Sequence, residues 1–505
     1  MKNFYQSPAG FFAVFFIAFS VLQMVWPDLM PYHHGFGFEG HDIYKPFTKD
    51  ALTFLAERRL SSYAIQRILP YSLLNFTFII FSIPFGDPQM ILFFQLLQLV
   101  IALVIIWFWR RMSTHLRLGL AAQWLGYTCL LFNFATLKHD FYIPFTYDRL
   151  ALASGLISLY FYFTKNKLYL LINSIISLII WPSALHYNLL LLLLPMELII
   201  DWRPNRLLGT LWAAGVTSAL VFVFCFVAYW GMNRDTLAPV IKWLLPVSIP
   251  AAGLYIFMTQ RALTSPVFPA WSELRQALGR IFNLRVGMFY AAILITCYLL
   301  LTRLAGNNLE SDLSLKLYLI NITYGAVQRP LQFIVAHAIY YGLPVVILVV
   351  CWKHALQIKN RLSLGLQVMF LIILLQGINA ETRQLANVLP LVTIIVAILV
   401  EETKITKINV YKIVFISFII AKGWIPFNII TRLGSGATAE FPMDSSQPNF
   451  AYYYVWPSQL FFMNLGPWIA TPYLIGQTLV LAVFGYWLYR LFRQPAVVTS
   501  RQLIL

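Results

Sequence analysis

Three short stretches of the chain hold residues able to do acid–base or phosphate chemistry. The first is 33–70, HHGFGFEGHDIYKPFTKDALTFLAERRLSSYAIQRILP, with Glu39, His41, Asp42 and Tyr44 in a Gly-rich turn and Arg67 ahead of Pro70. The second is the loop K-H-D-F-Y-I-P-F-T-Y-D, which supplies Lys138, His139, Asp140 and Asp148. The third is N-A-E-T-R-Q-L-A-N-V-L-P at 379–390, with Glu381 and Arg383. A loop carboxylate is suited to taking a proton from a reacting hydroxyl. Arginine and lysine make charge-assisted hydrogen bonds to phosphate oxygens. The plain alternative is that these are solvated loop charges and, for Arg383, an anchor at a helix end.

The rest of the chain decides where such residues can sit. Of its 505 residues 60% are hydrophobic and only 11% are charged, with mean hydropathy +0.73. A soluble fold has nowhere to bury so much apolar surface, and repeated apolar runs of roughly 17 to 22 residues match the thickness of a bilayer core. The expectation is an all-α integral membrane protein of about fourteen spans, with twelve as the lower bound. They are placed at 9–26, 88–109, 117–135, 149–164, 168–182, 185–200, 207–231, 240–260, 286–303, 331–352, 362–379, 384–401, 410–428 and 472–492. The first run lacks a small-residue cleavage site, as Pro27, Asp28 and Leu29 follow it, so it reads as a retained span.

The net charge of +17 comes from basic residues scattered between apolar runs, a pattern that sets topology and does not bind nucleic acid. One segment, 68–85, is apolar but ambiguous. If it crosses, Arg110, Arg111 and Arg117 fall outside; if it lies in the outer interface, seven consecutive basic loops all fall in the cytoplasm. The second arrangement is adopted, with both termini cytoplasmic in a bacterial-type inner (plasma) membrane. The chain then forms one polytopic domain, 1–505. Its first outer loop is 27–87, with an interfacial amphipathic helix near 50–60, and a large aromatic outer loop occupies 429–471. Cys129, Cys225, Cys297 and Cys351 all sit in apolar runs, so neither disulfides nor a zinc site is expected.

In this order of features the chain resembles the GT-C glycosyltransferases, polytopic membrane enzymes that use sugars linked to polyprenyl phosphate. The resemblance rests on E-G-H-D-I-Y at 39–44 after the first span, R-I-L-P at 67–70 before the next, and a second acidic loop at 138–148. It implies a sugar transferred from a polyprenyl-phosphate donor to a glycan, lipid or protein acceptor on the non-cytoplasmic face. Asp42 would be the general base, with Glu39 second. Arg67, Arg383, Lys138 and Arg329 would hold the donor phosphate. Asp140, Asp148 and His139 would form the second acidic site, and His41, Tyr44, His186 and Glu381 would face the cavity. In some of the family a divalent cation, Mg or Mn, bridges phosphate and loop acids, and Asp42, Asp140 and His139 have suitable donor atoms. No Gly-rich phosphate loop offers a seat for a soluble nucleotide sugar. The Tyr452, Tyr453, Tyr454 and Trp456 stretch could anchor to the interface or stack on sugar rings. Two other functions fit a chain of this shape: a flippase or transporter of lipid-linked glycans, and a glycan polymerase or ligase.

Overall fold

The computed structural model describes residues 7–30, 32–37, 39–194, 196, 206–233, 239–264, 285–306, 323, 326–327, 329–403, 405–426 and 471–493. The aromatic residues 452–456 and most of the loop 303–330 lie outside them. All regular elements among the described residues are helical. In chain order the main ones are α1 (Pro8–Val25), α2 (Leu69–Ile80), α3 (Asp87–His115), α4 (Leu120–Leu131), α5 (Asp148–Phe163), α6 (Lys167–Ser177), α7 (Ala184–Leu193) and α8 (Arg206–Asn233). They continue as α9 (Pro239–Thr264), α10 (Arg285–Arg303), α11 (Gln332–Tyr341), α12 (Leu343–Val350), α13 (Leu364–Gln376), α14 (Leu389–Glu402), α15 (Lys407–Ala421) and α16 (Thr471–Phe492).

Among the described residues, seven helices are long and apolar enough to cross a membrane. These are Pro8–Val25, Asp87–His115, Leu207–Trp230, Lys242–Ala262, Arg285–Arg303, Thr382–Glu402 and Leu474–Phe492. They carry many exposed large apolar side chains, among them Trp243, Phe222 and Val483, as helices bathed in lipid would. The other segments read as spans hold shorter helices. The run 331–352 is divided at Gly342, whose φ of +66° is a left-handed conformation that ends α11 before Pro344 opens α12. The segment after Arg67 forms α2, 12 residues or about 18 Å long, against roughly 30 Å of hydrocarbon. Tyr71, Leu74 and Phe78 bury one of its faces, while Phe76, Ile79 and Ile80 stay exposed.

The amphipathic helix expected near 50–60 is only Ala51–Ala56. The Asp50 carboxylate caps its start at Thr53, and the chain leaves the helix at Glu57 before Arg58 turns into the left-handed region at φ 53°. Charged residues that could have continued the polar face instead form an exposed turn, where Arg59 pairs with Glu57.

Close approach of α5 to the 3₁₀ segment Thr382–Val388 governs the site. Gly155 makes it feasible, because a Cβ there would lie 1.8 Å from the Asn387 carbonyl oxygen. The first loop is tied to the same end of the molecule. Lys45 donates to Asp87 at 2.8 Å, the Leu69 amide to the Ile179 carbonyl at 3.0 Å, and the Met30 amide to the Tyr142 carbonyl at 2.8 Å. At 29 residues α3 is about 43 Å long. Its Asp87 end therefore lies far from Arg110 and Arg111. At that far end the Gly119 amide donates to Glu401 at 2.6 Å, and Arg361 pairs with Glu402.

Candidate functional site

Two coupled acid–arginine centres occupy the end of the bundle where Asp87 lies. Arg67, 2% exposed, is delivered by a 3₁₀ turn (Ile65–Arg67) into an aromatic box. Its guanidinium carbon stands 3.6 Å from the Tyr63 ring centroid, 4.9 Å from Tyr147 and 5.4 Å from Trp181. Cation–π contacts of this kind gain strength once desolvated. Arg67 Nη1 donates to Glu39 Oε2 at 3.0 Å and to the Tyr147 hydroxyl at 2.5 Å, and that hydroxyl donates to Glu39 Oε2 at 3.0 Å. Burial pushes the Tyr147 phenol up, against the opposing pull of Arg67, so it stays a donor at neutral pH.

The second centre begins one residue further on. Asp148, first residue of α5, accepts from Arg383 Nε at 2.6 Å and Nη2 at 3.0 Å, a bidentate pair. His139 Nδ1 lies 3.6 Å from Asp148 and 3.3 Å from Asp140. Asp140 in turn accepts from Arg149 Nε at 2.8 Å. Arg149 Nη1 also donates to the Gln98 carbonyl at 2.7 Å and Nη2 to the Thr136 carbonyl. Asp140 and Arg149 are each 1% exposed, so this pair is internal to the fold. Arg383 Cζ stands 5.8 Å from the Tyr147 ring, which brings both guanidiniums to one aromatic side chain.

Several expected residues join this assembly and others do not. Glu39, Arg67, Asp148 and Arg383 meet, with His139 and Asp140 directly behind Asp148. Tyr44 packs beneath, stacked on Tyr71 at 4.2 Å with its hydroxyl donating to the Ala64 carbonyl. Glu381 is half-buried beside Arg383; burial raises its carboxyl above the usual range, with Arg383 and Arg67 pulling the other way. Asp42 lies at the rim, its side chain 66% exposed and 2.9 Å from His41 Nδ1. Lys138 is engaged elsewhere, with Asp28 and with the Ile425 carbonyl at 2.8 Å. Arg329 reaches Gln332 at 3.5 Å, the outer limit of a hydrogen bond. His186 is exposed on α7.

For a divalent cation, the donor set fits poorly. Both oxygens of Asp148 face Arg383, and those of Asp140 face Arg149 and His139, so a cation there would sit against two guanidiniums and compete with them for the carboxylates. Among the described residues no three His, Cys, Asp or Glu side chains gather as a metal group.

A cavity of about 260 Å³ lies beside the second centre, lined mainly by apolar side chains including Phe333, Tyr255, Trp352 and Leu389. His337 and Tyr341 also line it, and both hold Thr382, the neighbour of Arg383. The His337 Nε2–H donates to the Gly377 carbonyl at 2.7 Å, which leaves Nδ1 to accept from the Thr382 hydroxyl at 3.2 Å. The Tyr341 hydroxyl donates to the Thr382 carbonyl at 3.0 Å. One wall of the cavity and the mount of Arg383 are therefore the same segment.

Tyr147, Arg149 and this cavity carry no signal of a site in the sequence pattern, and Trp181 reads there only as part of a short outer turn with His186. Tyr147 stands in T-Y-D-R simply as an aromatic between a turn and two charges at the head of an apolar run. Comparison of the chain with protein-family models, curated proteins and solved structures finds no match.

Proposed function

We propose that the chain is a membrane glycosyltransferase of GT-C type that moves a sugar from a polyprenyl-phosphate donor to an acceptor hydroxyl. The observation that carries this reading is that the 3₁₀ segment bearing Arg383 also lines the apolar cavity, through Leu385 and Val388. An apolar chain and an anionic head group would there find their preferred surroundings side by side. In this reading Arg383 and Arg67 bind the phosphate. The acceptor oxygen attacks the anomeric carbon, the bond from that carbon to the phosphate oxygen breaks, and its electron pair leaves on the polyprenyl phosphate. The hydroxyl proton passes to a carboxylate.

Geometry favours Glu39 for that last part. Two donors fix its Oε2 while 42% of the side chain remains exposed, so a second oxygen is left for the acceptor. Asp42, with its His41 partner, is the other carboxylate in reach of the rim. The proposed topology keeps about fourteen crossings, with short helices completing those that no single long helix makes, and both termini in the cytoplasm of a bacterial-type inner membrane. The cluster then faces outward, because it lies at the opposite end of α3 from Arg110 and Arg111.

The reading is tested by reconstituting the full chain in proteoliposomes with a radiolabelled polyprenyl-phosphate sugar and a mixed pool of envelope glycan, lipid and peptide acceptors. Label should pass to a polar or larger product. Movement of intact donor across the bilayer with no transfer would replace this function with that of a carrier.

A further inference from the structure

The site contains one side chain that touches both centres. The Tyr147 hydroxyl accepts from Arg67 and donates to Glu39, and its ring lies within 6 Å of both the Arg67 and the Arg383 guanidinium carbons. Neighbouring rings hold it on several sides: Trp181 at 5.5 Å, Tyr44 at 6.0 Å and Tyr71 at 6.3 Å between centroids. Its own successor in the chain, Asp148, clamps Arg383. A ring that served only to fill space would need no hydroxyl. A buried hydroxyl costs free energy unless it is satisfied, and here both of its partners are charged.

Resting on the transferase reading, we propose that Tyr147 is a positioning residue: its phenol aims the Glu39 carboxylate while its ring spaces that carboxylate from the phosphate-binding Arg383. The hydroxyl occupies one lone pair of Glu39 Oε2, and the direct Arg67 contact at 3.0 Å occupies another. Oε1 is then the oxygen that meets the acceptor. Glu39 and Arg383 are far apart in sequence, and Tyr147 meets the first through its hydroxyl and the second through its ring.

The test compares wild type, Tyr147→Phe and Tyr147→Leu in the full-length chain. Carbodiimide labelling of Glu39, read by mass spectrometry, needs no substrate. Loss of the phenol donor in Tyr147→Phe frees a lone pair, so labelling should quicken several-fold; an unchanged rate overturns the proposal whether or not the chain transfers sugar. In the transfer assay Tyr147→Phe should lose about ten- to a hundredfold in kcat, the worth of a hydrogen bond to a charged group, with a much smaller change in donor KM from the lost Arg67 contact. Tyr147→Leu, which also removes the support of Arg383, should raise donor KM as well. An active Tyr147→Phe chain with wild-type kcat overturns the proposal. Inactivity of the wild type with every polyprenyl-phosphate sugar removes the transferase reading alone, and the labelling rate then decides the role of Tyr147.

Discussion

Arg383 and Asp148, 235 positions apart, meet through two hydrogen bonds of 2.6 and 3.0 Å, with Asp148 4% exposed. The pair joins the first turn of α5 to the segment ahead of α14, whose Leu385 and Val388 line the apolar cavity. Removing one partner of a buried pair strands the other, at a cost of about 3–5 kcal/mol, whereas replacing both with apolar side chains is often tolerated. Arg383→Leu alone should therefore lower stability strongly, and the double variant with Asp148→Leu should recover most of it. Thermal unfolding in detergent measures both, and the double variant should remain unable to bind polyprenyl phosphate.

Gly155→Ala tests whether backbone packing positions Arg383. The added methyl would lie 1.8 Å from the Asn387 carbonyl oxygen, and backbone cannot swing aside as a side chain can. Overpacking of this sort costs roughly 1–3 kcal/mol. The variant should melt earlier and lose donor affinity, although residue 155 touches no part of the acid–arginine cluster. Wild-type affinity in a folded Gly155→Ala chain would show that the segment moves without harm.

Glu39→Gln and Asp42→Asn separate the two carboxylates. Glu39→Gln should slow transfer by about 10²–10⁴-fold, the usual worth of a positioned base. Asp42→Asn, at the rim, should lose less than tenfold. A reversed ranking in single-turnover transfer would move the base to Asp42.

Glu381 gives the account a pH dependence. Burial raises its carboxyl above the usual value, so between the unfolded and folded values the native chain holds more proton than the unfolded one. Its contribution to stability is complete below the ordinary glutamate range and is lost as pH rises through the raised folded value. Glu381→Gln should remove this slope from a plot of melting temperature against pH. A slope identical to wild type would assign the dependence to another group.

The all-helical class and the seven long apolar helices could be read from apolar runs, because lipid leaves little choice of secondary structure. Interruptions within runs were harder to see. The break at Gly342 depends on a left-handed conformation that glycine permits without requiring. The helix after Asp50 stops at Ala56, where Arg58 adopts φ 53°, a preference no hydrophobic pattern encodes. At the site, Glu39, Arg67, Asp148 and Arg383 were visible as charges beside apolar runs. Their partners were not, since pairing across 80 or 235 positions is a property of helix packing. Lys138 illustrates the difficulty: from sequence it resembles a phosphate ligand, and its actual engagement with Asp28 lies 110 residues away. Tyr147 escaped notice because an aromatic at a membrane interface is ordinary.

If the chain is a transferase of this kind, one polyprenyl phosphate fills the apolar cavity with its chain and reaches the arginine cluster with its head. Photo-crosslinking with a polyprenyl phosphate carrying a diazirine near its head reads this directly, with adducts located by mass spectrometry. Adducts are expected on Phe333, Tyr341 and Trp352 of the cavity, suppressed by unlabelled polyprenyl phosphate and lost in Arg383→Leu/Asp148→Leu. Adducts confined to outward-facing residues such as Trp243, Phe222 and Val483, unaffected by that double variant, would contradict it.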